Sequence, residues 1–243
     1  MTDVVEQATV SRPSGWRLLF MLIFSYFGAQ IVAALAMMLL LGFPSSLAGF
    51  RTLAGAQSGR EVAITSSLGE IAIFAIAWLF MHRRMTVREV GLDRPRIVYL
   101  GDGVALFLFV LLASIVFGLM LHTGDVRSQL AVAQDLHGWW EGPLIALSAG
   151  FAEEVTFRGY LLTGLRRMWP NADWLAVLLS SIGFALAHVA WGLQPLQFAF
   201  YVVLGVLLAV GVVRARSVWP AIVAHAGWDA LAFLLLMSKA KGL

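Results

Sequence analysis

The chain of 243 residues contains no cysteine and few charged side chains. The absence of cysteine excludes structural disulfides, thiolate catalysis and cysteine-based metal sites, but it does not identify a redox compartment. Charged residues make up only 13% of the chain and hydrophobic residues 60%, whereas soluble domains have about 25% and about 45–50%. Because a water-soluble fold could not bury so much apolar surface, the composition predicts a membrane protein.

The sequence also lacks internal repeats, low-complexity tracts and any polar linker long enough to separate two domains. We therefore expect residues 1–243 to form a single membrane domain. The net charge of +3 does not indicate a nucleic-acid-binding protein, because the arginines stand in short loops between apolar runs and not on one face. We therefore expect the protein to contact membrane lipid and not to bind nucleic acid.

Seven apolar runs are long enough to cross a hydrocarbon core about 30 Å thick. They predict an all-α, polytopic bundle of about seven to eight transmembrane helices. The runs cover residues 16–41, 62–81, 104–121, 143–165, 174–189, 196–213 and 218–237. This layout places 11 Lys and Arg residues on one side and 5 on the other. The positive-inside rule then predicts a multi-pass protein of the cell membrane with a cytoplasmic N-terminus.

Ionisable side chains inside these runs are concentrated in three of the last four. Each costs roughly 2.5–3.5 kcal/mol on insertion scales, so such residues usually face a partner or a wet cavity and mark a functional site. The residues are Glu153, Glu154 and Arg158 in the fourth run, His188 near the end of the fifth, and His225 and Asp229 in the seventh. We expect these side chains to converge on one site.

Helical spacing divides the roles of the two adjacent acids. Residues four apart nearly share a face of a helix, whereas adjacent residues point about 100° apart. Glu154 and Arg158 can therefore pair, which leaves Glu153 on another face and free to do chemistry. An ordinary neutralised helix contact is the alternative interpretation of the Glu–Arg pair.

The same spacing gives each histidine a neighbour that can set the orientation of its ring. Phe184 lies one turn before His188, and Asp229 lies one turn after His225. Taken singly, either histidine could equally be a hydrogen-bonded packing residue.

A further acid, Glu70, lies within the second run. Its neighbours Ser66, Ser67 and Gly69 indicate a polar helix segment near the membrane interface, so we do not expect Glu70 to take part in catalysis.

Three motifs resemble those of a known family. The chain has E-E-x-x-x-R at Glu153, F-x-x-x-H at Phe184 and H-x-x-x-D at His225, in that order. This pattern resembles the CAAX prenyl protease and bacteriocin-processing intramembrane endopeptidases, also called CPBP or type II CAAX endopeptidase-like proteins. The resemblance covers a core of about residues 143–235 and implies an intramembrane protease.

The resemblance also implies roles for individual residues. Glu153 with His188 would activate a water molecule, and His225 with residue 229 would stabilise the oxyanion formed when water attacks a peptide carbonyl. Asp229 departs from the family's common asparagine, and an ionised aspartate accepts hydrogen bonds but cannot donate them. We therefore predict that Asp229 orients His225.

Whether the site uses a metal ion is open, because the family that the motifs resemble has been described both as metalloproteases and as glutamate-type proteases. Zinc accepts imidazole and carboxylate ligands, so Glu153, His188, His225 and Asp229 would be its ligands. The sequence has no H-E-x-x-H helix, which usually supplies two histidines on one face. We expect a glutamate-type protease without a cofactor, with a divalent metal such as zinc as the alternative.

The predicted function is hydrolysis of a peptide bond in a membrane-associated or prenylated protein or peptide. An ion- or proton-coupled transporter is an alternative, because intramembrane acids and histidines also form proton relays. Such a protein usually has broken helices in related halves, and the sequence shows no such repeat. A non-catalytic scaffold or immunity protein of the same family is the other alternative, and it would tolerate loss of Glu153 or His188.

Overall fold

The computed structural model describes residues 14–46, 49, 58–120, 139–188 and 194–240. All regular elements in these ranges are helical, so the predicted all-α class is confirmed for them. The elements are α1 (Gly15–Leu41), α2 (Gly59–Met81), α3 (Ile97–Met120), α4 (Glu141–Glu154), a π-helical segment (Val155–Leu162), α5 (Thr163–Met168), α6 (Asp173–Ala187), α7 (Pro195–Ala215) and α8 (Trp219–Ala240).

Four of these helices, α1, α2, α3 and α7, are long and apolar enough to cross a membrane. Helices α6 and α8 contain shorter apolar stretches. The fourth predicted span, residues 143–165, carries two acids and an arginine and falls on three consecutive elements. The total of seven to eight spans therefore stays a prediction. The predicted ends of the third and fifth spans, at residues 121 and 189, lie outside the described residues.

The outer surface of the bundle is apolar. Large hydrophobic side chains stand more than half exposed on α1, such as Phe24 and Ile31, and on α3, such as Phe109 and Leu112. Contiguous apolar surface of this kind is suited to contact with lipid and not with water. Together with the long apolar helices, it indicates a multi-pass membrane protein.

The middle of the bundle is a continuous helical run made of α4, the π-helical segment and α5. All eight residues of the π-helical segment are buried, and the run packs against α2, α6 and α8. A π-helix disturbs the regular backbone hydrogen bonding and is often found at functional sites. Ser180 of α6 donates a hydrogen bond of 2.8 Å to the carbonyl oxygen of Phe157, which satisfies a backbone group in this irregular stretch.

Close packing of α8 on α4 depends on a glycine. A Cβ atom on Gly150 would lie 2.8 Å from the backbone nitrogen of Ala226, which is closer than side-chain carbons approach backbone atoms. Gly150 lies one turn before Glu154, and Ala226 directly follows His225. The absence of a side chain at position 150 therefore lets the two backbones approach near the predicted site residues.

The start of α8 is fixed by the connection between α2 and α3. The backbone N–H of Val218 donates to the carbonyl of Gly91 at 3.1 Å, and the indole N–H of Trp219 donates to the carbonyl of Asp93 at 2.7 Å. Gly91 has a φ of +78°, a conformation that favours glycine. These contacts set the position of α8, and therefore of His225, along the bundle.

We predict that Gly150→Ala lowers the free energy of unfolding by about 1–3 kcal/mol, because the added methyl group overpacks the contact between α4 and α8. Gly118→Ala is the matched control, since a Cβ atom at Gly118 meets nothing within 4 Å. Thermal unfolding in detergent measures both variants. Equal stability of the two variants would contradict the close approach of these helices.

Candidate active site

The best-defined feature of the site is a carboxylate oxygen shared by two basic side chains. Oε1 of Glu154 lies 2.7 Å from Nη1 of Arg158 and 2.8 Å from Nδ1 of His225. The side chains of Glu154 and Arg158 are fully buried, and that of His225 is 4% exposed. The predicted pairing of Glu154 with Arg158 is therefore present, and the same carboxylate also ties α4 to α8.

Arg158 is further enclosed by Phe184. Its guanidinium carbon lies 4.1 Å from the centre of the phenyl ring, a distance at which the ring face attracts a cation. Nε and Nη2 of Arg158 have no hydrogen-bond partner among the described residues. The aromatic face lies against the guanidinium group that carries them.

Phe184 is the aromatic centre that joins three elements. It is fully buried, and its ring centroid lies 5.5 Å from that of Phe157, 5.8 Å from that of His225 and 4.7 Å from that of His188. These contacts connect α6 with the π-helical segment and with α8. The predicted position of Phe184 beneath His188 is present in the structure.

His188 caps the C-terminus of α6 and faces Glu153. Its Nδ1 lies 2.9 Å from the carbonyl oxygen of Phe184, so this nitrogen carries the proton and donates. Its Nε2 lies 3.8 Å from Oε2 of Glu153, and that oxygen has no hydrogen-bond partner among the described residues. A neutral His188 therefore presents a lone pair to a carboxylate oxygen across a gap too long for a hydrogen bond.

Asp229 lies on the other side of His225. Its Oδ2 is 3.6 Å from Nε2 of His225, beyond hydrogen-bond distance. The hydrogen bond that fixes the imidazole comes from Glu154, on Nδ1. Glu154 therefore fixes the ring through Nδ1, and the orienting role of Asp229, whose carboxylate faces Nε2, stays a prediction.

The two histidines come together although they lie on helices of different length. Both rings contact Phe184. The histidines of α6 and α8 therefore line the same site.

Glu70 reaches the same site from α2. Its Oε2 is buried and has no hydrogen-bond partner in the described part of the chain. The carboxylate is close enough to Glu153, His225 and Asp229 to interact with them electrostatically. The serines beside Glu70 indicated an interfacial segment. The general rule that an intramembrane acid marks a functional site would have identified Glu70 as a site residue.

Tyr201 of α7 was not predicted from the sequence. Its ring is stacked on that of His188, with centroids 4.2 Å apart and planes at 25°. Tyr201 lies outside the three motifs, in an apolar run that contains other aromatic residues. The sequence therefore did not distinguish Tyr201 from a packing residue.

The two histidines of the site share one feature with metal-binding histidines. His188 and His225 each have Nδ1 held by an acceptor and Nε2 directed toward a carboxylate, as metal-binding histidines often do. However, no three His, Asp or Glu side chains among the described residues lie close enough together to hold a metal ion. Glu153, His188, His225 and Asp229, the ligands named for the alternative of a metal site, are not gathered into such a group among the described residues, and whether the protein uses a metal stays a prediction.

A comparison with known families agrees with the three motifs. Residues 134–231 match the model of the family described as Type II CAAX prenyl endopeptidase Rce1-like, so the resemblance predicted from the motifs is confirmed over this segment. The segment includes Tyr201 and the seven site residues predicted from the motifs, whereas Glu70 lies outside it. No curated protein and no solved structure gives a significant match.

We predict that Glu154→Ala lowers the free energy of unfolding by about 3–5 kcal/mol, because it leaves Arg158 buried without its partner. Adding Arg158→Met to this variant should recover part of the loss, since no uncompensated charge remains. The control is Asp173→Ala, which breaks an ion pair with Arg166 whose side chains are 40% and 48% exposed and should cost about 1 kcal/mol or less. Equal losses for both alanine variants in thermal unfolding would contradict this interpretation.

Proposed function

We propose that the chain is an intramembrane endopeptidase of the Rce1-like type, in which Glu153 and His188 activate a water molecule. The observation that carries this proposal is a pair of acceptors that face each other at 3.8 Å: Oε2 of Glu153, which has no hydrogen-bond partner among the described residues, and Nε2 of His188. A water molecule can donate one hydrogen to each of them. Its oxygen lone pairs would then be directed away from both and available for attack.

The reaction balances with these groups alone. The water oxygen attacks the carbonyl carbon of the substrate peptide bond, and one proton of the water passes to Glu153. The carbonyl π electrons move onto the oxygen and form an oxyanion. When the intermediate collapses, the C–N bond breaks and the proton held by Glu153 passes to the leaving amine. General base catalysis of this kind contributes about 10²–10⁴-fold to a rate.

We assign the stabilisation of the oxyanion to His225. Its Nδ1 is fixed by Glu154, so the direction of Nε2 is set before the substrate arrives. A preorganised N–H donor in a water-poor site stabilises developing negative charge strongly. Asp229 lies on the Nε2 side of His225 and would help to orient the imidazole once the substrate is bound.

Metal-independent chemistry is part of this proposal. The four side chains that could act as zinc ligands by type do not form a group of metal-binding geometry, whereas two of them have the arrangement that a water molecule requires. The chain would then be a glutamate-type protease without a cofactor.

The substrate is a protein or peptide that reaches the site from the membrane. The apolar outer surface and the buried position of Glu153 support a membrane-associated substrate, and the Rce1-like match supports a prenylated C-terminal segment as one class. The distribution of arginines supports a cell-membrane location with the N-terminus in the cytoplasm. The lack of a long polar linker in the sequence supports a single domain over residues 1–243.

We predict that Glu153→Gln abolishes proteolysis, with a loss of at least about 10²-fold, because an amide cannot accept the proton of water. The measurement compares membrane proteins from cells with the wild-type chain and with the variant, and maps new termini by mass spectrometry. Glu89→Gln is the control, since Glu89 pairs with Arg167 at 2.6 Å on the loop before α3 and away from the site. Identical sets of termini for wild type and Glu153→Gln would overturn the protease proposal in favour of a scaffold or transporter.

The metal-free mechanism gives a separate prediction. Treatment of purified protein with EDTA or 1,10-phenanthroline should leave the cleavage rate unchanged, and metal analysis of the active preparation should find much less than one zinc per chain. Loss of activity on chelation that zinc restores would show that the site uses a metal.

A further inference from the structure

Tyr201 approaches the site from α7, a helix that contributes none of the residues predicted from the motifs. Its ring covers the imidazole of His188 at 4.2 Å and also contacts Phe184 at 6.2 Å and Phe200 at 5.6 Å. This aromatic packing holds the tyrosine in one place. The position of its hydroxyl group is therefore set by the same contacts that position His188.

The hydroxyl group of Tyr201 lies in the neighbourhood of the acids of the site. It is close enough to the carboxylates of Glu153 and Asp229 to interact with both electrostatically. The structure shows no hydrogen bond from this hydroxyl to another described residue, and the side chain is half-buried. A phenol O–H that is positioned but not engaged remains available to a bound substrate.

The surrounding groups are rich in acceptors and poor in donors. Glu70, Glu153 and Asp229 contribute carboxylate oxygens, and Nε2 of His188 is an acceptor because Nδ1 donates to Phe184. An oxyanion needs preorganised donors about 2.7–3.1 Å away. Among the described side chains near these acids, Arg158, His225 and Tyr201 carry N–H or O–H groups, and Arg158 is fully buried against Phe184 and paired with Glu154.

We propose that the hydroxyl group of Tyr201 donates a hydrogen bond to the oxyanion formed during peptide hydrolysis and acts together with Nε2 of His225. This inference rests on the proposed protease function. Tyr201 keeps its proton throughout, while the water proton passes through Glu153 to the leaving amine. The tyrosine supplies a neutral donor in a site where position 229 carries an aspartate, which only accepts when ionised.

Two substitutions at Tyr201 separate its hydroxyl group from its ring. Tyr201→Phe keeps the stack on His188 and removes the donor, so we expect a rate on the order of 10²-fold lower with unchanged thermal unfolding. Tyr201→Leu removes both and should be at least as slow. The assay follows the appearance of the termini that are produced in wild-type membranes and missing with Glu153→Gln.

The matched control is Tyr160→Phe, because Tyr160 is a buried tyrosine of the π-helical segment that contacts none of the acids discussed above in the described structure. It should cleave at the wild-type rate. A rate for Tyr201→Phe within twofold of wild type, with only Tyr201→Leu impaired, would overturn the donor role and leave Tyr201 as a positioning residue for His188.

The Asp229→Asn variant provides a second test of the hydrogen bond from Tyr201 to the oxyanion. Asparagine at position 229 can donate through its amide, so Tyr201→Phe should cost less than tenfold in the Asp229→Asn chain. An equal cost in both backgrounds would overturn the inference. If wild type and Glu153→Gln give the same termini, the protease function itself fails, which is a different result from normal activity of Tyr201→Phe.

Discussion

The structure of the site depends on one buried oxygen, Oε1 of Glu154. It binds the guanidinium of Arg158 and the imidazole of His225 at the same time, in a part of the bundle from which water is largely excluded. A buried charge that lost its partners would be strongly destabilising, so the three side chains hold α4, the π-helical segment and α8 in one arrangement. With Glu154 committed to this structural role, Glu153 is the acid left to face His188.

The other features of the fold make that arrangement possible. Gly150 lets the backbone of α8 approach α4 closely enough for His225 to reach Glu154. The π-helical segment begins directly after Glu154, and Ser180 satisfies a carbonyl within it. Phe184 then packs between the arginine and both histidines. Packing, backbone hydrogen bonding and charge pairing therefore position the same few residues. The lipid-facing surface is not constrained by these interactions and can be uniformly apolar.

Much of this could be predicted from the sequence because helical spacing and the cost of charges in lipid are strong constraints. The pairing of Glu154 with Arg158 follows from a separation of four residues. Contacts between helices that are distant in the sequence have no such rule, so the bond from Glu154 to His225 and the stack of Tyr201 on His188 could not be foreseen. The position of Glu70 beside the site was not expected from the sequence, because small polar neighbours also line helix contacts inside a bundle, and Ser67 does so by accepting a hydrogen bond from Ser148.

The role of Glu153 as a base acting on water, and not as a nucleophile, can be measured by cleavage in water enriched in ¹⁸O with enzyme in excess over substrate. If Glu153 activates water, the new C-terminal carboxylate of the product carries one ¹⁸O atom in the first turnover and Glu153 carries none. An unlabelled first product together with ¹⁸O in the carboxylate of Glu153 would show a covalent intermediate and contradict the mechanism.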